Sequence, residues 1–154
     1  MVRLLCSGLL MLVMCQPLHA NDDFKVRTTM KFFTVHGFSK VQAAGIVGNL
    51  MQESKLNPAA VGRKCYGLAQ WQGCRFRQLK EFTQIRNRPW HCLESQLEFI
   101  LFEFRNGESK AMSRLSQAKT VQHAARIVGQ FYLRPKKVEQ IRLKYAQHAF
   151  NLSE

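Results

Sequence analysis

Acidic residues are scarce in this chain: 10 Asp and Glu stand against 23 Lys and Arg in 154 residues, giving a net charge of +13 and a pI near 10.0. The surplus points to an anionic partner surface without saying which one. Glycine (9) and proline (4) are too few for a collagenous or low-complexity chain. No Gly/Ser-rich or Pro-rich linker and no internal repeat divides the sequence, so one domain is expected. Long apolar runs are missing beyond the N-terminus, where a membrane span would need roughly 20 residues. Disorder is excluded in turn by what is present, 11 Phe, 3 Tyr and 2 Trp, which supply the bulk for a real core.

Cysteine is also sparse. Of five, Cys6 and Cys15 lie in the first twenty residues, leaving Cys65, Cys74 and Cys92. With His91 these lack the close C-x-x-C pairing of a zinc site, so neither a metal nor another cofactor is expected. At the N-terminus, Arg3 precedes an apolar run through Leu4, Leu5, Leu9, Leu10, Leu12, Val13 and Met14, followed by Pro17 and the small Ala20. This pattern predicts a signal peptide over residues 1–20, cleaved after Ala20, and a periplasmic or secreted domain over 21–154. Bulky Met14 disfavours lipidation of Cys15, and no stable membrane insertion is expected after cleavage. An oxidising destination predicts one disulfide among the three remaining cysteines, and spacing does not choose between Cys65–Cys74 and a pair with Cys92.

Helical spacing dominates the rest. Val26, Met30 and Phe33 form one stripe that stops at Gly37. Ser39 and Gln42 match a capping box ahead of Val41, Ala44, Val47 and Met51, a second stripe ending at Asn57 and Pro58. The period is lost across Gly62, Gly67 and Gly73, which predicts an ordered loop or small hairpin. It returns at Phe76, Leu79 and Phe82, and strongly at Leu93, Leu97, Ile100, Leu101 and Phe104, before Asn106 and Gly107. Thr120 reads as the next N-cap, with Val121, Ala124, Val128 and Phe131 running to Pro135, and Val138, Ile141 and Tyr145 mark a last helix. Five to seven helices are expected, in a mainly α fold.

Chemistry is expected where the second helix ends. Glu53 follows Leu50 by three residues and Ile46 by seven, so all three share a face that is apolar except for the carboxylate. A carboxyl group so placed loses hydration of its charged form, which favours the protonated state a general acid needs. Spacing alone would equally describe a surface glutamate near a helix end.

The surrounding residues say more. Ala43-Ala44-Gly45-Ile46-Val47-Gly48-Asn49-Leu50-Met51-Gln52-Glu53-Ser54, the run Glu53 to Ala60, Gly67-Leu68-Ala69-Gln70-Trp71-Gln72-Gly73, Leu93-Glu94-Ser95-Gln96-Leu97 and Phe131-Tyr132-Leu133-Arg134-Pro135 together resemble the phage tail lysozyme family. That family lies in the lysozyme-like superfamily, alongside lytic transglycosylases and goose-type lysozymes. The resemblance implies a lysozyme-like fold that cleaves peptidoglycan glycan strands between N-acetylmuramic acid and N-acetylglucosamine. It implies Glu53 as the catalytic acid, Ser54 and Gln70 as supports for acid and substrate, and Tyr66, Trp71 and Tyr132 at substrate-binding positions. Trp71 or Tyr66 could instead be core aromatics, and Gln70 could satisfy loop backbone groups. Two departures stand out: Leu133, where relatives usually carry an acid before Arg-Pro, and the basic Arg63-Lys64 ahead of the second motif.

No Asp or Glu lies between Glu53 and Glu81, whereas a glycosidase of the usual kind needs two carboxyls flanking the scissile bond. Glu81, Glu94, Glu98 and Glu103 could approach in space, but Glu94 and Glu98 read more simply as a solvated helix edge. A one-carboxylate site favours lytic transglycosylase chemistry, with a hydrolytic muramidase as the alternative. The basic residues, dense from 105 to 154, suit an anionic cell envelope as a partner. A nucleic-acid-binding module would also explain the charge, but no such motif is present. A non-catalytic cationic wall-binding or antimicrobial protein is the other rival, and a monomer is expected.

Overall fold

The computed structural model describes residues 18–136 and 140–153. Its organising element is α2 (Lys40–Ser54), in which every residue from Ala43 to Met51 is buried. A helix apolar all round must be surrounded. The expected single stripe is therefore too narrow a description: α1 (Leu18–Val35), α6 (Val121–Ile127) and α7 (Gln140–Leu152) all pack on α2.

Two glycines permit this enclosure. A methyl group at Gly45 would lie 2.6 Å from Ala124 Cβ on α6, and one at Gly48 would lie 2.3 Å from the Ala146 nitrogen on α7. Neither distance is sterically possible, so backbones meet where side chains would otherwise hold them apart. Helix α7 runs antiparallel to α2: Lys40 Nζ sits 4.3 Å from the Phe150 ring centre at one end, and Glu53 meets Arg142 at the other.

The helix boundaries follow the local chemistry. Gly37 takes φ +97° after α1. The capping box forms, with Ser39 Oγ accepting from the Gln42 N–H at 3.2 Å and Gln42 Oε1 accepting from the Ser39 N–H at 2.9 Å. Helix α2 stops at Ser54, short of Pro58, because Lys55 and Leu56 both turn left-handed at φ 53° and 56°. After the loop come α3 (Gly73–Gln84), α4 (Leu93–Asn106) and the seven-residue α5 (Ser109–Leu115), which the sequence spacing does not reveal. Thr120 caps α6 by accepting from the His123 N–H at 3.2 Å.

The stretch expected as one helix from Val121 to Pro135 divides instead. Helix α6 ends at Ile127 and continues as a π-helical segment, Val128–Leu133. The wider turn changes the inward residue, so Tyr132 is wholly buried and Phe131 only partly. The fold is mainly α, and the 61–71 loop is held by isolated antiparallel bridges, Val61 with Tyr66 and Tyr66 with Trp71. Most of the expected signal segment (1–17), with Arg3, Cys6 and Cys15, and also Val138 of the last stripe, lie outside the described residues.

Among the described residues no helix is long and apolar enough to cross a membrane, and no group of His, Cys, Asp or Glu is placed to hold a metal ion. The expected disulfide is not formed. Cys65, Cys74 and Cys92 are all free thiols, and Cys65 Sγ instead accepts from Gln72 Nε2 at 3.0 Å and donates toward the Arg63 carbonyl at 3.4 Å.

Candidate active site

Glu53 lies in the last turn of α2, on the face predicted from Ile46 and Leu50, and both of those residues are fully buried. The surroundings are not purely apolar, however. Arg142 of α7 places Nη1 2.8 Å from Glu53 Oε1, with side-chain exposures of 5% and 18% respectively. The desolvation argument thus fails in its simple form, because a cation from a distant helix answers the carboxylate. Oε2 makes no hydrogen bond among the described residues.

Asn49, one turn earlier on α2, is buried and completes this corner. Its Nδ2 donates to the Gly45 carbonyl at 2.8 Å and to the Ala125 carbonyl at 2.9 Å, and its Oδ1 accepts from Arg142 Nη1 at 3.3 Å. Lys55, two residues after Glu53, hydrogen-bonds the Tyr145 hydroxyl of α7. Two consecutive left-handed residues other than glycine cost of order 1–3 kcal/mol each, and such strain concentrates at functional sites.

The residue directly after Glu53 fastens this corner to the loop. Ser54 Oγ donates to the Leu68 carbonyl at 2.9 Å, with the Leu50 carbonyl at 3.2 Å as its other acceptor. From the far side, Gln96 of α4 clamps the same loop. Its Oε1 accepts from the Leu68 N–H at 2.8 Å, and its Nε2 donates to the Pro58 and Trp90 carbonyls, each at 2.8 Å. Gly67, at φ +71°, passes so close that a Cβ would fall 2.6 Å from Gln96 Oε1. Gln96 is the residue that gives the Leu93–Leu97 motif its role, and spacing alone does not single it out.

The other expected site residues separate into two groups. Gln70 is half-buried in the loop, with Nε2 donating to the Gly67 carbonyl at 2.9 Å, and Tyr66 stacks on Phe76 at 4.0 Å between ring centres. Trp90, not anticipated from the sequence, meets both rings edge-on and borders an open hollow with Lys80, Thr83 and Asn87. Trp71 and Tyr132 are elsewhere. They are 1% and 0% exposed and offer no ring face to a sugar.

Both instead serve Glu103. Its Oε2 accepts from Trp71 Nε1 at 3.0 Å and from the Tyr132 hydroxyl at 2.6 Å, while Arg75 of α3 approaches in a fork at 2.7 and 3.0 Å. Burial is the largest single influence on the Arg75 pKa and draws it down, but the bond to Glu103 together with the charges of Tyr132, Glu103 and Glu108 outweighs it, and the net shift is upward. Tyr132 is held well above its ordinary range by burial first and by the Glu103 charge second.

The remaining described acids are occupied or exposed. Asp22 pairs with Lys25 and Asp23 with His148, Glu94 and Glu98 pair with Arg88, and Glu108 pairs with Arg134. The last pair supplies an acid for Arg134 from the turn between α4 and α5, where Leu133 lacks one. Glu81 is exposed on α3.

The family profile of the phage tail lysozymes matches residues 25–152, nearly all of the described chain. The chain belongs to the phage tail lysozyme family. A phage tail lysozyme is a lysozyme-like enzyme that cleaves glycosidic bonds of peptidoglycan, and the mainly α architecture of this chain agrees with such a fold. No curated protein matches the chain.

Proposed function

We propose that this phage tail lysozyme relative is an exported lytic transglycosylase that cuts the bond between N-acetylmuramic acid and N-acetylglucosamine with Glu53 alone. The observation that carries this reading is the state of the acids: Glu53 is partly exposed with one oxygen unengaged among the described residues, while the other described acids are paired or lie exposed on α3. Protonated Glu53 gives its proton to the glycosidic oxygen as that bond breaks. The resulting carboxylate then takes the proton from the muramic C6 hydroxyl, whose oxygen closes onto C1 as a 1,6-anhydro ring. Ser54 and Gln96 hold the loop that carries Gln70 and Tyr66 beside the substrate.

Export is supported by the signal-peptide pattern of residues 1–20. Attraction to the anionic wall is supported by exposed basic residues such as Arg105, Lys110, Arg114, Lys119, Arg126 and Lys144. Mass spectrometry of the muropeptides released from purified wall tests the reaction. Anhydromuramic ends are expected. Reducing muramic ends as the main product would make the enzyme a hydrolytic muramidase, and intact wall would leave only a cationic wall binder.

A further inference from the structure

We propose that Arg142 is the positioning residue for Glu53, pinning Oε1 so that Oε2 alone carries the proton to and from the substrate. This rests on Glu53 being the acid and base. Three observations support it.

The first is the geometry of the pair. A carboxylate has two chemically equivalent oxygens, and a rotating carboxyl presents its proton in many directions. Here one oxygen is held 2.8 Å from a guanidinium whose residue is only 4% exposed, and the other is unengaged among the described residues. Proton transfer is thereby assigned to one atom, in one direction. Such alignment matters, because misplacement by about 1 Å can cost about 100-fold in rate.

The second is that Arg142 is itself fixed by a group with no freedom to turn. Asn49 Nδ2 donates to two carbonyls, on α2 and on α6. Reversing the amide would set its oxygen against both, so Oδ1 must face Arg142, where it accepts at 3.3 Å. The chain Ala125–Asn49–Arg142–Glu53 therefore ties the carboxylate to three helices, and Gly45 and Gly48 allow those helices to approach closely enough for the chain to close.

The third is the contrast with a purely structural pair. Replacing a buried ion pair by apolar residues is often neutral or stabilising, so stability by itself is a weak reason for one. At Glu103 the arginine is one of several donors that fill both oxygens. At Glu53 the arginine fills one and leaves the other for chemistry.

The test compares Arg142→Met, Arg142→Lys and Asn49→Ala with the wild type, measuring kcat and KM on soluble uncross-linked glycan strands together with circular dichroism and Tm. Arg142→Met is expected to lower kcat about 100-fold with KM within about twofold, and Arg142→Lys to recover about tenfold of that loss by restoring a cation. Asn49→Ala is expected to lower kcat about fivefold, again at constant KM. Losses that merely follow the folded fraction, or a wild-type kcat in folded Arg142→Met, would overturn the proposal. If Arg142→Met does not fold, the other two variants decide: a kcat loss at constant KM in either supports positioning, and an unchanged kcat in both overturns it. Glu53→Gln separates the two levels of inference. Activity in folded Glu53→Gln removes the Glu53 assignment itself, whereas an inactive Glu53→Gln beside fully active Arg142 variants removes only the positioning role.

Discussion

Glu53 and Glu103 start from the same sequence signature and reach different ends. Each follows apolar residues by three positions on a helix, Leu50 for Glu53 and Ile100 for Glu103, and each meets an arginine from another helix. Glu103 then receives Trp71 and Tyr132 as well, and its side chain is 8% exposed. Glu53 keeps one oxygen unengaged among the described residues and 18% of its side-chain surface. A carboxylate whose acceptor sites are filled rigidifies its surroundings, and one with an acceptor to spare at the surface can exchange a proton with a substrate. Remaining acceptor capacity, more than burial or charge pairing, separates the keystone from the candidate catalyst.

The largest expected effect breaks the comparison at Glu53. Glu53→Gln should reduce wall digestion by about 10³-fold, within the range removed with a general acid or base. Gln can still accept from Arg142 through its amide oxygen, so the fold should persist with a loss of about 1–2 kcal/mol, visible as a small drop in Tm. Zymography and thermal denaturation on the same preparation check both halves.

The converse change should invert the outcome. Glu103→Gln leaves Arg75 without its charge partner and turns an amide N–H toward other donors, at a cost of about 3 kcal/mol even though the arginine is partly exposed. At about 2–4 °C per kcal/mol for a chain of this size, Tm should fall by roughly 6–12 °C. Activity per folded molecule should stay within about tenfold. A stable but inactive Glu103→Gln would mean that the missing second carboxylate had been found.

Much of this contrast lies beyond what local pattern can express. Gly37, the Ser39 capping box and the Thr120 cap are legible because caps are made by residues three or four apart, and Glu53 stands out as a candidate because a motif surrounds it. Arg142 and Glu103 do not, since their partners are supplied by α2 and by α3, the 61–71 loop and the π-helical segment. One signal for Arg142 is present in hindsight: with Ala146 and Ala149 it forms the buried face of α7, a lone charge among alanines. The resemblance implies a substrate contact for Tyr132 within a continuous helix, and the π-helical turn is what rotates it inward. Short α5, with only Ala111 and Leu115 buried, carries too little period to detect.

Tyr132→Phe sharpens the comparison more gently. Glu103 keeps Trp71 and Arg75, so losing one bond to a charged acceptor should cost about 1.5 kcal/mol with activity nearly unchanged. The pH dependence carries the sign. Burial and the Glu103 charge raise the folded-state pKa above the ordinary 10.0, so the unfolded chain ionises first. Stability from Tyr132 is complete below pH 10 and is lost as pH rises beyond it. Wild type should lose stability along that alkaline limb, and Tyr132→Phe should flatten it in chemical denaturation measured from pH 8 to 11.

The smallest effect concerns the loop that joins the two carboxylates. Hydrogen bonds hold it at Ser54–Leu68, Gln96–Leu68 and Trp71–Glu103, and Cys65, Cys74 and Cys92, the cysteines among the described residues, are free. A reductant should therefore leave Tm and wall digestion unchanged, and alkylation of the native protein followed by peptide mapping should find no cystine among Cys65, Cys74 and Cys92. The thiols should differ from one another, however. The Ser95 backbone N–H at the start of α4 is the main influence lowering the Cys92 pKa, ahead of the opposing effect of burial. More of Cys92 is then thiolate at neutral pH than in an ordinary thiol, and its alkylation rate should rise with pH along a curve displaced to lower values. A reductant-sensitive Tm would show that a disulfide shares the work of holding the loop, and would move the restraint on Gln70 and Tyr66 from hydrogen bonds to a covalent link.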